Sequence, residues 1–158
     1  MKKVFRRGLA GLLSAGLFIM SNISVQAAGY TEVSDSDEQI AEEERLGDME
    51  LIAQLVEAEA GNQPFEGKCL VVDVVLNRVA SPDFPNTVEE VIYQDGQFSV
   101  INNGAFDKAA WNMKEDDFAA VAVEYELHTN KEILYFNNSS NVSGTGEPFK
   151  VGGHWFNT

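Results

Sequence analysis

The chain has 158 residues, of which 44% are hydrophobic and 10% aromatic, so its composition is typical of a globular protein and not of a disordered one. Its length fits one domain, and its single cysteine excludes an internal disulfide framework. A formal charge of −14 argues against nucleic acid and anionic membranes as partners, because phosphate groups attract lysine and arginine and repel an acidic surface.

The first 27 residues have the pattern of a secretory signal peptide. Four basic residues precede an apolar stretch at residues 8–20, and residues 25–27 place small side chains where a signal peptidase cuts. The alternative is a membrane anchor, but a span needs ~18 or more apolar residues and Ser21 and Asn22 end the stretch earlier. We therefore predict a secreted protein without a membrane partner after cleavage, whose net charge falls from −14 to −18 because the four basic residues leave with the signal.

Residues 28–50 form an acidic leader that contains nine acidic residues and one arginine. This composition predicts a solvated tether or a frayed helix. Gly47 followed by Asp48 is typical of a helix end and a new helix N-cap, so we expect the folded domain to occupy residues 51–158.

The first half of this domain has helical patterns. Residues 49–60 have helical periodicity, which ends at Gly61. Residues 66–79 repeat apolar side chains at helical spacing, although their many β-branched residues leave a buried strand as an alternative. Thr87 and Glu90 then form the T-x-x-E pattern of a capping box and predict a short helix.

The second half changes from helices to strands. Residues 116–127 predict a helix with an apolar face made of Phe118, Val121, Ala122 and Tyr125. Residues 133–136 and 151–156 predict two short strands around a loop rich in serine, glycine and asparagine. The order predicts an α+β fold that is mainly helical, with a small C-terminal antiparallel β element.

Glu59 is the residue that breaks the apolar pattern of its helix. With about 100° per residue on a helical wheel, it falls between Leu55 and Val56, in the middle of the apolar stripe, whereas Glu57 falls on the polar side. A buried carboxylate that is charged and unpaired costs several kcal/mol, so Glu59 must be paired, protonated or in a cavity. Desolvation raises a carboxyl pKa, which suits a general acid, whereas the structural alternative is a satisfied glutamate paired with Arg78 or the backbone.

Several other polar residues allow both a binding and a structural interpretation. Asn77 can make a buried hydrogen bond at a helix end or contact a substrate. Gln97 and Ser99 can line a cleft and bind acetamido or hydroxyl groups, or form a plain turn. Tyr135 and Asn137 alternate on a predicted strand and so share a face, where they suit a sugar ring or, for Tyr135, core packing.

The remaining chemically active residues predict no metal site and no cofactor. His128, His154 and Cys69 are too few, and at the wrong spacing, for a recognised zinc set. Cys69 lies in an apolar run, which favours a buried small hydrophobe over a nucleophile.

Several short motifs follow one another in order from residue 58 to residue 156. The segments are AEAGNQPFEG at 58–67, VVLNRV at 74–79, FPNT at 84–87, VIYQDGQFS at 91–99, LYFN at 134–137 and GGHWF at 152–156. They resemble E-A-R-G-E-P-x-E-G, V-V-L-N-R-V, F-P-N-T, V-I-Y-Q-x-G-x-F-S, L-Y-F-x-N and I-G-x-H-x-F, the motifs of the SleB/CwlJ-type cell wall hydrolases. The chain departs from the first motif at Gly61, Asn62 and Gln63, where the family has arginine, glycine and glutamate.

The resemblance implies a lysozyme-like catalytic domain over residues 51–158, related to lytic transglycosylases, that cleaves peptidoglycan glycan strands. It implies that Glu59 is the catalytic acid, that the protein is associated with the cell wall, and that peptidoglycan is its partner. The best-studied members of the family degrade the spore cortex during germination. His154 lies in the last motif, which makes it a further candidate for substrate binding.

The sequence allows two catalytic mechanisms and one non-catalytic function. A lytic transglycosylase needs one carboxylate, because the 6-hydroxyl of N-acetylmuramic acid attacks internally. A muramidase, or a glycosidase acting on another polysaccharide, needs a second carboxylate roughly 5–9.5 Å away, for which Glu66 is the first candidate, although it can instead cap the second helix. Asn62 and Gln63 leave room for a peptidoglycan-binding module of the same fold that lacks activity.

Overall fold

The computed structural model describes residues 35–158, so the predicted signal peptide and the first part of the acidic leader lie outside the described residues. Over residues 35–158 the chain forms six helices and three strands. They are α1 (Asp35–Ala60), α2 (Phe65–Ala80), α3 (Val88–Tyr93), α4 (Ser99–Asn103), α5 (Ala105–Ala109), α6 (Glu115–Leu127), β1 (Tyr135–Asn137), β2 (Phe149–Val151) and β3 (His154–Asn157). Within this range no helix is both long enough and apolar enough to cross a bilayer.

The first helix is longer than the sequence predicts. It runs without a break through Gly47, so the predicted helix end at Gly47 and Asp48 is wrong. A side chain at Gly47 would meet no described atom within 4 Å, and an exposed glycine inside a helix costs only about 1 kcal/mol, which the rest of α1 can offset. Residues 36–47 are exposed on every side and burial begins at Asp48. Residues 36–47 of the acidic leader are therefore part of a solvated helix, and burial, not helix geometry, marks where the packed part begins.

The second helix is the centre of the core. It packs against α1, α3 and α6, and residues 67–75 are buried without interruption. A helix that is covered on every side needs no polar face, which explains why its sequence also resembled a buried strand. Pro64 precedes α2 as its N-cap residue, and the fixed backbone angle of proline suits the start of a helix.

A buried ion pair joins α2 to α6. The Lys68 ammonium is fully buried and lies 2.7 Å from Asp117 Oδ1 and 2.8 Å from Asp116 Oδ2. The other oxygen of Asp117 accepts a hydrogen bond from the backbone N–H of Lys114 at 2.7 Å, which caps the start of α6. These bonds satisfy the buried lysine and turn a polar residue of α6 toward the core.

The orientation of α6 differs from the predicted one. Its buried residues are Asp117, Ala120, Val121 and Glu124, whereas Phe118 is 44% exposed and Ala122 is also exposed. Hydrophobic periodicity predicts a buried Phe118, because a pattern within one helix carries no information about the ion pair of Asp117 with Lys68 on α2. The predicted apolar face is therefore wrong apart from Val121 and the half-buried Tyr125.

A second buried polar cluster lies between α2 and the end of α6. Asp73 Oδ2 accepts a hydrogen bond from the Asn130 N–H at 3.1 Å, and Glu124 Oε2 accepts one from the Thr129 N–H at 2.8 Å. The Thr129 hydroxyl lies between the two carboxyl groups, 3.3 Å from Asp73 Oδ2 and 3.2 Å from Glu124 Oε1, and shares its one hydrogen between them. Burial and the neighbouring Glu124 carboxyl raise the pKa of Asp73 to about 7. Burial raises the pKa of the nearby Cys69 thiol to about 12, the opposite of what a nucleophile needs.

The sheet has the order β1-β3-β2 and both pairs are antiparallel. The prediction of a small C-terminal antiparallel β element is confirmed, but the segment predicted as one strand over residues 151–156 is divided between β2 and β3. Gly152 has a φ of +58°, and with Gly153 it forms the turn between β2 and β3. Residues 99–109 form two five-residue helices, α4 and α5, which meet at Gly104.

The Asp73 cluster predicts a pH-dependent stability. Because the folded-state pKa of Asp73 is raised, its contribution is fully present below the ordinary aspartate pKa and is lost as the pH rises through about 7. Asp73→Asn keeps an acceptor for Asn130 and offers Glu124 an amide donor, so the free energy of unfolding should fall less steeply with pH in this range.

Urea denaturation from mildly acidic to mildly alkaline pH measures this slope. Asp83→Asn, which replaces an exposed aspartate, is the matched control and should follow the parent curve. An identical pH dependence of Asp73→Asn and the parent protein would contradict the prediction.

Candidate active site

A cleft of about 260 Å³ lies where the end of α1 meets the segment before α4 and the sheet. Its lining includes five residues that the sequence marked as candidates: Glu59, Gln97, Ser99, Asn137 and His154. The other lining residues are Gly96, Phe98, Phe136 and Asn138. Gly96, Phe98 and Phe136 belong to the matched segments, and the final N of the family motif L-Y-F-x-N falls on Asn138, so motif membership could have identified all four.

Glu59 lies in the last turn of α1 and is half-buried in the cleft wall. Burial raises the pKa of its carboxyl, and a hydrogen bond with the backbone of Val100 opposes that rise in part. Among the residues that line the cleft there is no lysine or arginine, and no ion pair of the described residues involves Glu59. The carboxyl therefore holds a proton at a higher pH than an ordinary glutamate, which is the property of a general acid.

Arg78 is not the partner of Glu59. Its Nε donates to the Leu134 carbonyl at 2.8 Å, and its guanidinium lies 4.9 Å, 5.1 Å and 5.8 Å from the ring centres of Phe84, Phe98 and Tyr135. Burial lowers its pKa to about 10, so it still carries its charge near neutral pH. Since Phe98 lines the cleft, Arg78 supports the cleft wall from behind.

Gln97 and Ser99 reach the cleft from the segment that leads into α4. Both are exposed, while Phe98 between them is buried and forms the N-cap position of α4. Because burial alternates in this way, the Phe98 ring points inward, and the Gln97 carboxamide and the Ser99 hydroxyl stay on the surface of the cleft. Their exposed polar groups can bond to the hydroxyl or acetamido groups of a ligand.

The opposite wall comes from the sheet. Asn137 ends β1, and its Oδ1 accepts a hydrogen bond from the backbone of Ser139 at 2.7 Å. His154 begins β3 and is only 8% exposed, with its ring centre 5.2 Å from that of Phe136. Burial lowers the pKa of His154, so the imidazole is neutral near pH 7, and its Nδ1 has no hydrogen-bond partner among the described residues.

Two candidates do not lie in the cleft. The Asn77 amide is buried, donates to the carbonyls of Asn130 and Ile133 at 2.9 Å and 2.8 Å, and lies 2.8 Å from His128 Nε2 through its oxygen. Its hydrogen-bonding groups are thus engaged in holding the segment between α6 and β1. Tyr135 packs against Phe84 and Arg78, so the core-packing alternative describes its position.

The other two carboxylates of the first motif region also lie outside the cleft lining. Glu66 is exposed in the first turn of α2, and Glu57 pairs with the Lys114 ammonium at 2.6 Å. Among the described residues that line the cleft, Glu59 is the only one with a carboxyl group. The described residues also contain no cluster of three or more histidine, cysteine, aspartate or glutamate side chains that could hold a metal ion.

Comparison with known proteins assigns the chain to a family. The profile of the family described as Cell Wall Hydrolase matches residues 62–157, which is more than half of the chain. The chain therefore belongs to the cell wall hydrolase family, and the resemblance of its motifs to the SleB/CwlJ type is confirmed.

The relatives and the solved structures agree with this assignment. The chain is 31% identical over 117 residues to a spore cortex-lytic enzyme of Bacillus subtilis and 33% identical over 101 residues to one of Oceanobacillus iheyensis. These matches cover 69% and 61% of this chain, but only 37% and 35% of the relatives. The chain thus spans little more than a third of the length of these curated relatives.

Two solved structures resemble the chain over most of their length. The catalytic domain of the germination-specific lytic transglycosylase SleB from Bacillus anthracis has a TM-score of 0.57 and 28% identity, and covers 69% of this chain and 92% of that domain. The catalytic domain of SleB from Bacillus cereus has a TM-score of 0.58 and 28% identity, with 70% and 89% coverage. The predicted mainly helical, lysozyme-like α+β fold is therefore confirmed.

The position of Arg78 predicts a large cost for changing its shape. Arg78→Lys keeps the charge but loses the planar group that contacts three rings and the fixed donor to Leu134. We expect the free energy of unfolding to fall by about 1–3 kcal/mol in chemical denaturation, which is the usual cost of a lost buried hydrogen bond and cation–π contact. Lys131→Arg, at an exposed site, is the control, and an unchanged denaturation midpoint of Arg78→Lys would contradict the prediction.

Proposed function

We propose that this chain cleaves peptidoglycan glycan strands between N-acetylmuramic acid and N-acetylglucosamine, and that Glu59 is the general acid and base. The observation that carries the proposal is a single carboxyl group in the cleft, whose pKa is raised by burial, in a member of the cell wall hydrolase family. The proposed place of action is the cell wall outside the membrane, which the predicted signal peptide supports.

The first step requires the protonated form of Glu59. The carboxylic acid donates its proton to the glycosidic oxygen, the bond from that oxygen to C1 of N-acetylmuramic acid breaks, and positive charge develops on the sugar ring. The raised pKa supports this role, because it extends the range of pH over which the acid still carries its proton.

The second step uses the carboxylate that the first step leaves. Glu59 takes the proton from the 6-hydroxyl of the same N-acetylmuramic acid, and the 6-oxygen attacks C1 to close a 1,6-anhydro ring. Glu59 thus returns to the protonated form in which it began, and no water is added to the product. The absence of a second carboxyl among the described lining residues favours this lytic transglycosylase reaction over a muramidase that uses Glu66.

Substrate binding in this proposal relies on neutral groups. The cleft offers the amides of Gln97 and Asn137, the hydroxyl of Ser99 and the neutral imidazole of His154. These groups match the hydroxyl and acetamido groups of the amino sugars. The domain over residues 51–158 is acidic and the cleft lining has no cation, so we propose that hydrogen bonds to neutral sugars, not charge, select the substrate.

Replacing Glu59 tests the proposed chemistry. Glu59→Gln keeps the shape and hydrogen-bonding capacity of the side chain but cannot transfer a proton, so the rate of glycan cleavage should fall about 10²–10⁴-fold. Glu66→Gln is the matched control, because Glu66 is exposed outside the cleft lining, and it should retain the parent rate. Release of muropeptides from purified sacculi and from spore cortex, followed by mass spectrometry, measures both.

The products separate the alternatives. The proposal predicts anhydromuropeptides, whereas a two-carboxylate hydrolase gives products that are heavier by one water. Normal release of anhydromuropeptides by folded Glu59→Gln would refute the role of Glu59. Binding of sacculi without any release by the parent protein would indicate the non-catalytic binding module instead.

The pH profile is a further consequence of the raised Glu59 pKa. Cleavage requires the protonated acid, so kcat/KM should decrease as the pH rises through the Glu59 pKa, which lies above the ordinary value of 4.5. Rates on soluble glycan strands across the pH range measure this limb, with the folded state monitored at each pH. A rate that continues to rise into the alkaline range would contradict the acid role.

A further inference from the structure

The turn between α1 and α2 reaches across to the hairpin turn of the sheet. Gln63 follows Glu59 by four residues, and its Oε1 accepts a hydrogen bond from the backbone N–H of Gly153 at 2.6 Å. The amide nitrogen of Gln63 donates to Asn62 Oδ1 at 2.7 Å, which fixes the orientation of the carboxamide. One side chain thus joins two turns that are 90 residues apart in the sequence.

The two turns are in close contact as well as hydrogen-bonded. A Cβ at Gly152 would lie 2.6 Å from Gln63 Oε1 and 2.6 Å from Pro64 Cδ, and the φ of +58° also disfavours a side chain there. A Cβ at Gly67 would lie 3.7 Å from Val151 Cγ1, so β2 rests on the first turn of α2. The hairpin can approach this closely only because its turn is made of glycine.

The hairpin turn leads directly to the cleft. His154 follows Gly153, pairs with Val151 and is the first residue of β3. Its ring is packed against Phe136 and Phe156, and its Nδ1 has no partner among the described residues. The hydrogen bond one residue earlier, at Gly153, therefore holds the turn from which β3 begins, in addition to the pairing of Val151 with His154.

We propose that Gln63 is a positioning residue, which holds the Gly152-Gly153 turn against the end of α1 and thereby fixes His154 in the cleft that Glu59 also lines. The proposal rests on the proposed function in so far as His154 contacts the glycan. The quoted motif of the family has glutamate at this position, and a carboxylate can accept the same hydrogen bond. The amide of Gln63 accepts it at every pH, since it does not titrate.

Hydrogen exchange tests the contact without any substrate. In Gln63→Ala the Gly153 amide loses its acceptor, so its exchange should become about tenfold faster or more, as expected for a turn that opens to water. Gln63→Glu should keep the parent exchange rate. Gln39→Ala, which removes an exposed glutamine from the solvated part of α1, is the matched control and should also leave the rate unchanged.

A titration by NMR tests the effect on the imidazole itself. The chain has two histidines, so a His128→Gln variant assigns both ring signals. Release of the turn in Gln63→Ala admits water to His154, and its lowered pKa should rise toward the ordinary value of 6.5. Gln63→Glu should retain a buried ring.

A double-mutant cycle then connects the contact to the proposed reaction. Gln63→Ala should raise KM for glycan strands about tenfold, equivalent to about 1.4 kcal/mol, with a smaller change in kcat. In a His154→Gln background the same substitution should have little further effect on KM, because the imidazole that Gln63 positions is already absent. Gln63→Glu should restore KM.

The outcomes distinguish this proposal from the proposed function. Unchanged Gly153 exchange and His154 titration in Gln63→Ala would overturn the positioning role, as would an equal KM effect in the His154 and His154→Gln backgrounds. If the parent protein does not cleave glycan, or if Glu59→Gln cleaves normally, the proposed function fails. The exchange and titration measurements still decide the positioning role in that case, since neither needs activity.

Discussion

The sheet stays in place because two neighbouring side chains of α2 donate hydrogen bonds to the chain that leads into it. Asn77 donates to the carbonyls of Asn130 and Ile133, and Arg78 donates to that of Leu134. A buried amide and a buried guanidinium each cost free energy when left unpaired, and these bonds satisfy the Asn77 amide and the Nε of Arg78, whereas Nη1 of Arg78 has no hydrogen-bond partner among the described residues. β1 begins immediately after these bonds, so they help to set the position of Asn137, whereas His154 on β3 also depends on the contact of Gln63 with Gly153.

The residues that line the cleft are carried by elements of very different length. Glu59 lies on a long helix whose last turns pack against the core, whereas Asn137 and His154 lie on strands of three and four residues. Strands this short have few ladder hydrogen bonds of their own and depend on side-chain contacts with the helices. The catalytic candidate is therefore carried by a helix that packs against the core, whereas the binding candidates Asn137 and His154 are carried by short strands whose position depends on contacts with the helices.

The sequence was informative where a local pattern was enough. Glu59 stood out because one carboxylate in an apolar stripe has few physical explanations, and Thr87 caps α3 as its motif predicted. Two predictions were wrong because a local pattern was not enough: the buried face of α6, and the end of the first helix at Gly47. The first depends on a lysine 49 residues away, and at Gly47 the weak local preference of one glycine is outweighed by the helix on both sides.

The roles of Asn77 and Gln63 could not be read from the sequence for a related reason. Both belong to motifs, and a motif marks a residue without saying whether it contacts a ligand or another part of the chain. Only the partners distinguish the two: His128, Asn130 and Ile133 of the segment between α6 and β1 for Asn77, and the Gly153 amide for Gln63. A polar residue in a family motif is as informative about the architecture of a cleft as about its chemistry.

The uninterrupted α1 has a practical consequence. Residues 36–47 extend the helix that carries Glu59 by about 18 Å of exposed backbone, at about 1.5 Å per residue. A fluorophore or spin label on residues 36–47 would lie on the same helix as Glu59 and outside the lining of the cleft. A label on residues 36–47 thus gives a reference point on α1, from which the distance to a ligand in the cleft can be measured without altering the residues that line it.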